Sequence, residues 1–331
     1  MSVSFVVTVY NKRPFLPVVL PAVAAECRDV GGEIVIVDDG STDGSGAFLD
    51  EFCAGNPACR LIRQKNAGPP AAVTAGLRAA AMPYVRPIDA DDIPVRGSTR
   101  VMMAALERTG AGLVGGQKQT YDLRSLDPAL LRPIDPAAGD SAEVVADPIH
   151  DTIRKNDFVP SVMLMTRRIA HAVVPVPDIS YTSHDFYIVV RAARIAPVAK
   201  LGVTVCYFAV AADNRMSASV AGMYHDTVMV SRAYMLGPEA WSGPHRRYAM
   251  RRMAGRALLY ARRHRPFDPA RWLGLFLVRL AGYLPLYPLF PALLSYVART
   301  YTPSLVRRAS SPHLGVAAGK DLHDLTAKTK A

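Results

Sequence analysis

Short apolar runs rich in β-branched residues alternate with segments of helical spacing through the first 90 residues. Ser4 to Val9 (SFVVTV), Glu33 to Val37 (EIVIV), Cys59 to Arg63 and Tyr84 to Ile88 predict strands. Helices are predicted from Pro14 to about Cys27, from the Asp38-Asp39-Gly40-Ser41-Thr42-Asp43 turn cluster to about Cys53, and from Gly68 to Ala81. Thr42 or Asp43 can cap the second of these. Four strands alternating with helices imply a parallel sheet covered by helices.

The pattern loosens between residues 110 and 200. Gly112 to Gly116 is followed by a Pro- and Asp-rich stretch from Asp122 to Pro148, then by an expected strand from Phe158 to Thr166. Ser183-His184-Asp185 opens an expected helix to Ile195, Val203 to Val210 reads as a strand, and Ala211 to Ser219 as a polar loop. No internal repeat is present.

From about Trp241 the chain changes character. His245 to Arg263 carries seven arginines around Tyr248, Met253, Leu259 and Tyr260, the pattern of a basic interfacial helix. Between Arg279 and Arg299 lie 19 uncharged, mostly apolar residues, close to the roughly 20 needed to span hydrocarbon. Pro285, Pro288 and Pro291 each remove a backbone donor and favour a monotopic or re-entrant insertion over a spanning helix, with a packed helical subdomain as the remaining reading. The last twenty residues read as a solvated tail.

Charge sharpens this division. Residues 1 to 239 hold 23 Lys+Arg against 25 Asp+Glu, a net of −2, whereas residues 240 to 331 hold 16 against 3, a net of +13. A basic and apolar segment fits an anionic membrane better than nucleic acid. The four cysteines (Cys27, Cys53, Cys59, Cys206) include no C-x-x-C, which argues against a disulfide scaffold and a structural zinc site; buried thiols in a reducing compartment are expected. Val3 to Val9 lacks a preceding basic region and is too short for a signal-peptide core.

In an open α/β sheet, ligands sit outside the carboxyl ends of the strands. Three of the four early strands end in Tyr10-Asn11-Lys12, Asp38-Asp39 and Asp89-Ala90-Asp91-Asp92. Asp89 and Asp91 fall on one side of an extended segment, and their oxygens suit Mg²⁺ or Mn²⁺ shared with substrate phosphates. Tyr10 offers a stacking face, and Asn11 and Asp38 offer hydrogen bonds to a base or sugar. The Asn66-Ala67-Gly68 loop before a helix can bring backbone N–H groups to phosphate. Asp185 at a helix start can take a proton from a hydroxyl or cap the helix, and Arg215 can neutralise a diphosphate or remain solvated.

T-V-Y-N-K, I-V-I-V-D-D-G-S-T-D-G-S, N-A-G-P-P-A-A-V-T-A-G and I-D-A-D-D-I-P occur in this order and spacing. Together they resemble the family 2 glycosyltransferases of the GT-A fold, strongly over residues 4 to about 109 and more loosely over 155 to 219. The resemblance implies a Rossmann-like, mostly parallel sheet flanked by helices, with a nucleotide-sugar half (1–110) and an acceptor half (111–239); residues 240–331 have no part in it and read, from their charge and apolar content, as a basic, membrane-facing helical extension. The resemblance also implies inverting transfer of a sugar from a nucleotide diphosphate donor to a hydroxyl. Thr8, Tyr10, Asn11, Asp38, Asp39, Asn66, Gly68, Asp89 and Arg215 would hold the donor, Asp91 with Asp89 the Mn²⁺ or Mg²⁺, and Asp185 would be the base. His184 stands where the family often has Glu, Pro69-Pro70 replaces small or polar residues, and Thr74 stands where Asn is common. No Q-x-x-R-W occurs, which favours single-sugar transfer over processive synthesis.

The expectation is therefore a cytoplasmic enzyme, peripheral on the inner face of the plasma membrane, acting on a lipid-linked or cell-envelope glycan acceptor in polysaccharide biosynthesis, without nucleic-acid binding. The alternative is a catalytically degenerate, sugar-nucleotide-binding membrane scaffold. A dinucleotide-dependent oxidoreductase is excluded because Tyr10-Asn11-Lys12 stands where G-x-G-x-x-G is required.

Overall fold

The alternation of the first 90 residues folds as expected. Strands β1 (Val3–Val9), β2 (Gly32–Asp38), β3 (Cys59–Arg63) and β4 (Tyr84–Asp89) alternate with helices α1 (Leu16–Val30), α2 (Ser45–Ala54) and α3 (Pro69–Ala79). All pairings among these four strands are parallel. Side chains of β1 alternate between two layers: Phe5 and Val7 join the core that includes Leu16, Leu20 and Val23 of α1, while Val6 lies under Gly76 of α3. A Cβ at Gly76 would collide with Val6, so glycine sets how closely that helix seats.

The computed structural model describes residues 2–122, 133–209, 220–236, 240–264 and 267–301. They form two compact units: Met1–Pro148 with Asn156–Asp178 and His184–Arg215, and Ile149–Lys155 with Ile179–Ser183 and Met216–Ala331.

The remaining strands complete one sheet of order β3-β2-β1-β4-β8-β6-β9-β5. After β5 (Asp92–Pro94) and α4 (Ser98–Thr109) come β6 (Leu113–Tyr121), β7 (Glu143–Val144), α5 (Pro148–Arg154), β8 (Met163–Thr166), α6 (Arg167–Ala172), α7 (His184–Ala193) and β9 (Val198–Ala209). Of these helices α5 belongs, from Ile149 on, to the second unit. Here the sheet is mixed: β8 is antiparallel to β4 and β6, whereas β6 and β9 are parallel. The glycines at 112–116 concealed β6. Gly115 and Gly116 are strand residues because a Cβ would collide with Phe158 at the first and stand 2.5 Å from Val205 at the second. Cys53 and Cys59 also depart from expectation. The turn from α2 into β3 brings their Cα atoms to 5.1 Å and they form a disulfide, while Cys27 and Cys206 are buried thiols.

Arg86 sits in the middle of β4 with 0% of its surface exposed. Its Nη1 lies 3.3 Å from Glu26 Oε2 of α1 and donates to Ser98 Oγ (2.9 Å) and Thr99 Oγ1 (2.5 Å), while Nη2 donates to the Val205 carbonyl of β9 (2.9 Å). Glu26 in turn accepts the Gly97 and Thr99 backbone N–H groups and so caps α4. Capping by a distant carboxylate satisfies orphan donors and complements the helix dipole.

The second unit contains α8 (Val220–Ala233), α9 (Gly243–His264), α10 (Pro269–Ala281) and α11 (Phe290–Ala298). The apolar side of α9, including Met250, Met253 and Ala257, is buried within this unit. Its arginines lie over aromatic rings: Arg251 over Tyr283 at 4.7 Å and Arg246 over Tyr287 at 5.7 Å. The basic helix expected to be interfacial is thus a packed scaffold helix. Pro285 and Pro288 divide the long uncharged run between the end of α10 and a 3₁₀ turn at Tyr287–Leu289, and no helix among the described residues is long and apolar enough to cross a membrane.

Breaking a buried ion pair from one side leaves a charge without its counterion. Glu26→Gln or Arg86→Met should each lower stability by about 3–5 kcal/mol, and the double variant Glu26→Leu/Arg86→Met should lose less than the sum of the two. Denaturant midpoints of the full chain check this.

Candidate active site

The carboxyl ends of β1, β2 and β4 meet in register, with Thr8 beside Val37 on one side and Asp89 on the other, and Val9 beside Asp38. The loops that leave these strands are joined by short hydrogen bonds. Asn11 takes a left-handed backbone conformation (φ 53°), which asparagine tolerates better than most residues. Its Oδ1 accepts the Thr42 N–H at 2.8 Å, its own N–H donates to Ser41 Oγ at 3.1 Å, and the Lys12 N–H donates to Ser45 Oγ at 3.2 Å. Tyr10, held by this turn, stays 45% exposed and presents its ring to solvent.

Two neighbouring aspartates have different partners. Asp38 is buried, accepts the Ser41 N–H at 3.0 Å and lies 4.0 Å from Arg63 Nε. Asp39 turns to the loop before α3: Oδ1 accepts from Gln64 Nε2 (2.7 Å) and the Ala67 N–H (2.9 Å), and Oδ2 from the Gly68 N–H (2.9 Å). Burial pushes the Asp39 carboxyl up, and these donors only partly offset it. Gly40 (φ 75°) lets the turn pass within 2.8 Å of Asn66 N, measured from where a Cβ would be. Ala67 and Gly68, and with them the loop that carries Asn66, are thereby fixed by Asp39.

At the end of β4, Asp91 Oδ2 lies 2.7 Å from Lys12 Nζ, and the Asp91 carbonyl accepts from Tyr121 Oη at 2.9 Å. Ser161 joins the flanking acids, accepting the Asp89 N–H at 2.9 Å and donating to Asp92 Oδ2 at 2.7 Å. The negative field extends beneath the strands. Burial first, then the charges of Asp92, Asp89 and Asp91, push the Cys206 thiol well up, against the pull of Arg86. Asp91, with Asp89 and Asp92 near it in the chain, offers hard carboxylate oxygens of the kind a hard cation takes, and Lys12 holds the Asp91 carboxylate. Among the described residues no group of three or more His, Cys, Asp or Glu side chains is placed to hold a metal ion, so a divalent ion there would draw most of its ligands from phosphate and water, as Mg²⁺ does. The residues fit such an ion.

Asp185 begins α7 and accepts from Asn156 Nδ2 at 2.9 Å. Burial raises its carboxyl above the ordinary aspartate value; His184 and the Phe186 N–H pull it down, Asp89 pushes it up and Lys118 pulls it down. Asp185 therefore shares one electrostatic neighbourhood with the acidic end of β4. Arg215 lies outside the described residues. Lys12, Tyr121, Asn156 and Ser161 carry no role in the sequence reading. Lys12 alone had a signal, its place directly after Tyr10-Asn11.

Residues 4–143 match the family model described as Glycosyl transferase family 2. This stretch contains all three strand ends. Residues 4–143 belong to glycosyl transferase family 2. The family 2 domain is 39% identical over 95 residues to an undecaprenyl-phosphate 4-deoxy-4-formamido-L-arabinose transferase of Pectobacterium carotovorum, covering 27% of this chain and 29% of that protein. It is 31% identical over 121 residues to glycosyltransferase GlyG of Streptococcus pneumoniae, covering 36% and 40%. The alignments thus span between a quarter and two fifths of these relatives.

Solved structures agree on the fold over a longer stretch. S. aureus TarS 1-349 in complex with UDP-GlcNAc superposes with a TM-score of 0.63 at 15% identity, covering 91% of this chain and 89% of that one. The mannosyltransferase PcManGT of Pyrobaculum calidifontis, in complex with GDP-Man and Mn²⁺, gives 0.55 at 19% identity, covering 92% and 87%. The GT-A fold expected from the motifs is the one the chain adopts.

Asp39 gives a test within this domain. Asp39→Ala leaves the Ala67 and Gly68 N–H groups without their acceptor and should lower stability by about 1–3 kcal/mol. Thermal unfolding measures the loss, and faster amide exchange confined to residues 64–68 locates it.

Proposed function

We propose that the chain is an inverting glycosyltransferase that moves one sugar from a nucleotide diphosphate-sugar to the hydroxyl of a lipid-linked or cell-envelope acceptor, working peripherally at an anionic membrane. The observation that carries this reading is the convergence of the three early strand ends within the stretch that matches family 2, with Asp185 feeling the charge of Asp89 at one of them. Supporting the acceptor class, one similar protein is named for transfer involving undecaprenyl phosphate.

In this reading residues 1–110 bind the donor and 111–239 the acceptor, with 240–331 as a membrane-side extension. Tyr10 stacks on the base, while Thr8, Asn11 and Asp38 hold the nucleoside. Asp39 acts at one remove, holding the Asn66–Gly68 loop against the donor. Asp91 and Asp89 hold Mn²⁺ or Mg²⁺, which when bound neutralises the departing diphosphate. Asp185 accepts the proton of the acceptor hydroxyl as its oxygen bonds to the anomeric carbon, and the bond from that carbon to the diphosphate oxygen breaks on the opposite side. Asn156 orients the base. Arg215 assists the diphosphate.

The raised Asp185 carboxyl sets the pH dependence. The base must be ionised, so kcat/KM should rise with pH through an acid limb lying above the ordinary aspartate value of 3.8. Asn156→Ala removes a donor to the ionised form and should move that limb to higher pH. Asp185→Asn should cut turnover by roughly 10²- to 10⁴-fold while leaving nucleotide binding in place.

Donor binding is measured directly by thermal stabilisation with UDP, GDP, dTDP and ADP, with and without Mn²⁺. A nucleotide at 100 times its dissociation constant adds about 2.7 kcal/mol. One nucleotide should stabilise the wild type with metal and fail to stabilise Asp91→Ala. No response to any nucleotide would sink the donor site, and binding without turnover in either wild type or Asp185→Asn would point to a scaffold.

A further inference from the structure

Helix α10 is apolar on both sides. Leu275 and Val278 are buried against the rest of the second unit, and Gly282 just beyond the helix lets Arg251 of α9 approach. On the opposite side Leu273, Phe276, Leu277 and Leu280 follow the spacing i, i+3, i+4, i+7 and are 58%, 48%, 54% and 45% exposed, and Leu284, three residues past the helix end, is 54% exposed. A contiguous exposed patch of this kind marks an interaction surface.

We infer that this face of α10 lies flat on an anionic bilayer, with its leucines and phenylalanine in the acyl boundary and the surrounding arginines at the headgroups. The inference deepens the membrane-side reading above and rests on it for the membrane itself; the face is an observation of its own. Charge selects the occupant. Asp268 is the only acid between residues 240 and 301, and it lies 3.7 Å from Arg271. Arg279 and Arg299 are exposed, as are Arg262 and Arg263. Basic residues near such a surface are drawn to anionic lipid. Length sets the mode: the 13 residues of α10 make roughly 20 Å of helix, too short to span and suited to lie in the interface. Tyr283, exposed just past the helix, suits the headgroup level.

The test is sedimentation of the full chain with extruded phosphatidylcholine vesicles, with and without 30% phosphatidylglycerol, at about 0.1 and 0.5 M NaCl. Leu277→Glu/Leu280→Glu changes exposed positions only, and Val144→Glu, an exposed site in the first unit, serves as control. The wild type and the control should bind the anionic vesicles, less at high salt. The double variant should bind roughly tenfold or more weakly, with unchanged melting and unchanged stabilisation by nucleotide. Equal binding by wild type and double variant would overturn the α10 assignment while keeping the membrane reading. Failure of the wild type to bind any vesicle would overturn both. If the double variant instead dissociates a dimer, or alters melting through contact with residues 302–331, without affecting vesicle binding, the face belongs to the protein itself and the inference falls.

Discussion

An arginine with no exposed surface sits where β4 crosses the core, and most of the first unit is arranged so that it can be there. Desolvating a guanidinium costs several kcal/mol unless a counterion and further acceptors replace the lost water. Glu26, Ser98, Thr99 and the Val205 carbonyl supply those partners from α1, α4 and β9. Each is in place only if its element is in register. Arg86 is three residues from Asp89 and five from Asp91, so the same network that satisfies the charge also fixes where the acidic strand end emerges.

Charge compensation is the theme of that strand end as well. Carboxylates at adjacent positions repel one another, and here four of them are held by specific donors: Asp39 by the Ala67 and Gly68 amides, Asp91 by Lys12, Asp92 by Ser161 and Asp185 by Asn156. Amides and hydroxyls are fixed dipoles, whereas Lys12 is a flexible, mobile charge. Of these partners, the lysine is the one able to move aside.

The sequence revealed the first half of this arrangement because that half is built from local signals. β-Branched runs, turn clusters at strand ends and helical spacing lie consecutively from Val3 to Asp89, and each element is recognisable from its own residues even where, as for β1 and β4, its partner is far away in sequence. The second half hides its signals. β6 carries a Gly-Gly pair at 115–116 that hides the strand pattern, and Phe158 and Val205 occupy the space that side chains there would take. β5 has three residues, and Ser161 and Asn156 take their places through contacts more than 25 residues away in sequence. The arginine-rich segment was legible as a helix, but which apolar side it used was not. Its ring contacts and buried methionines emerge from tertiary packing, and the exposed apolar face falls on α10 instead.

Pro87 lies in a strand with neighbours on both sides, where a residue without an N–H is a poor choice. The Asp89 N–H points to Ser161, away from β1, so the donorless nitrogen of Pro87, two residues earlier, faces the same way. The β8 ladder accordingly stops after Tyr84 and Val85. On the ribosome this matters more than in the finished sheet. From the time β4 is made until β8 follows, roughly 4 to 15 seconds at ordinary elongation rates, that side of β4 is an open edge. A nascent chain whose temporary edge ends in proline offers other nascent chains little to pair with.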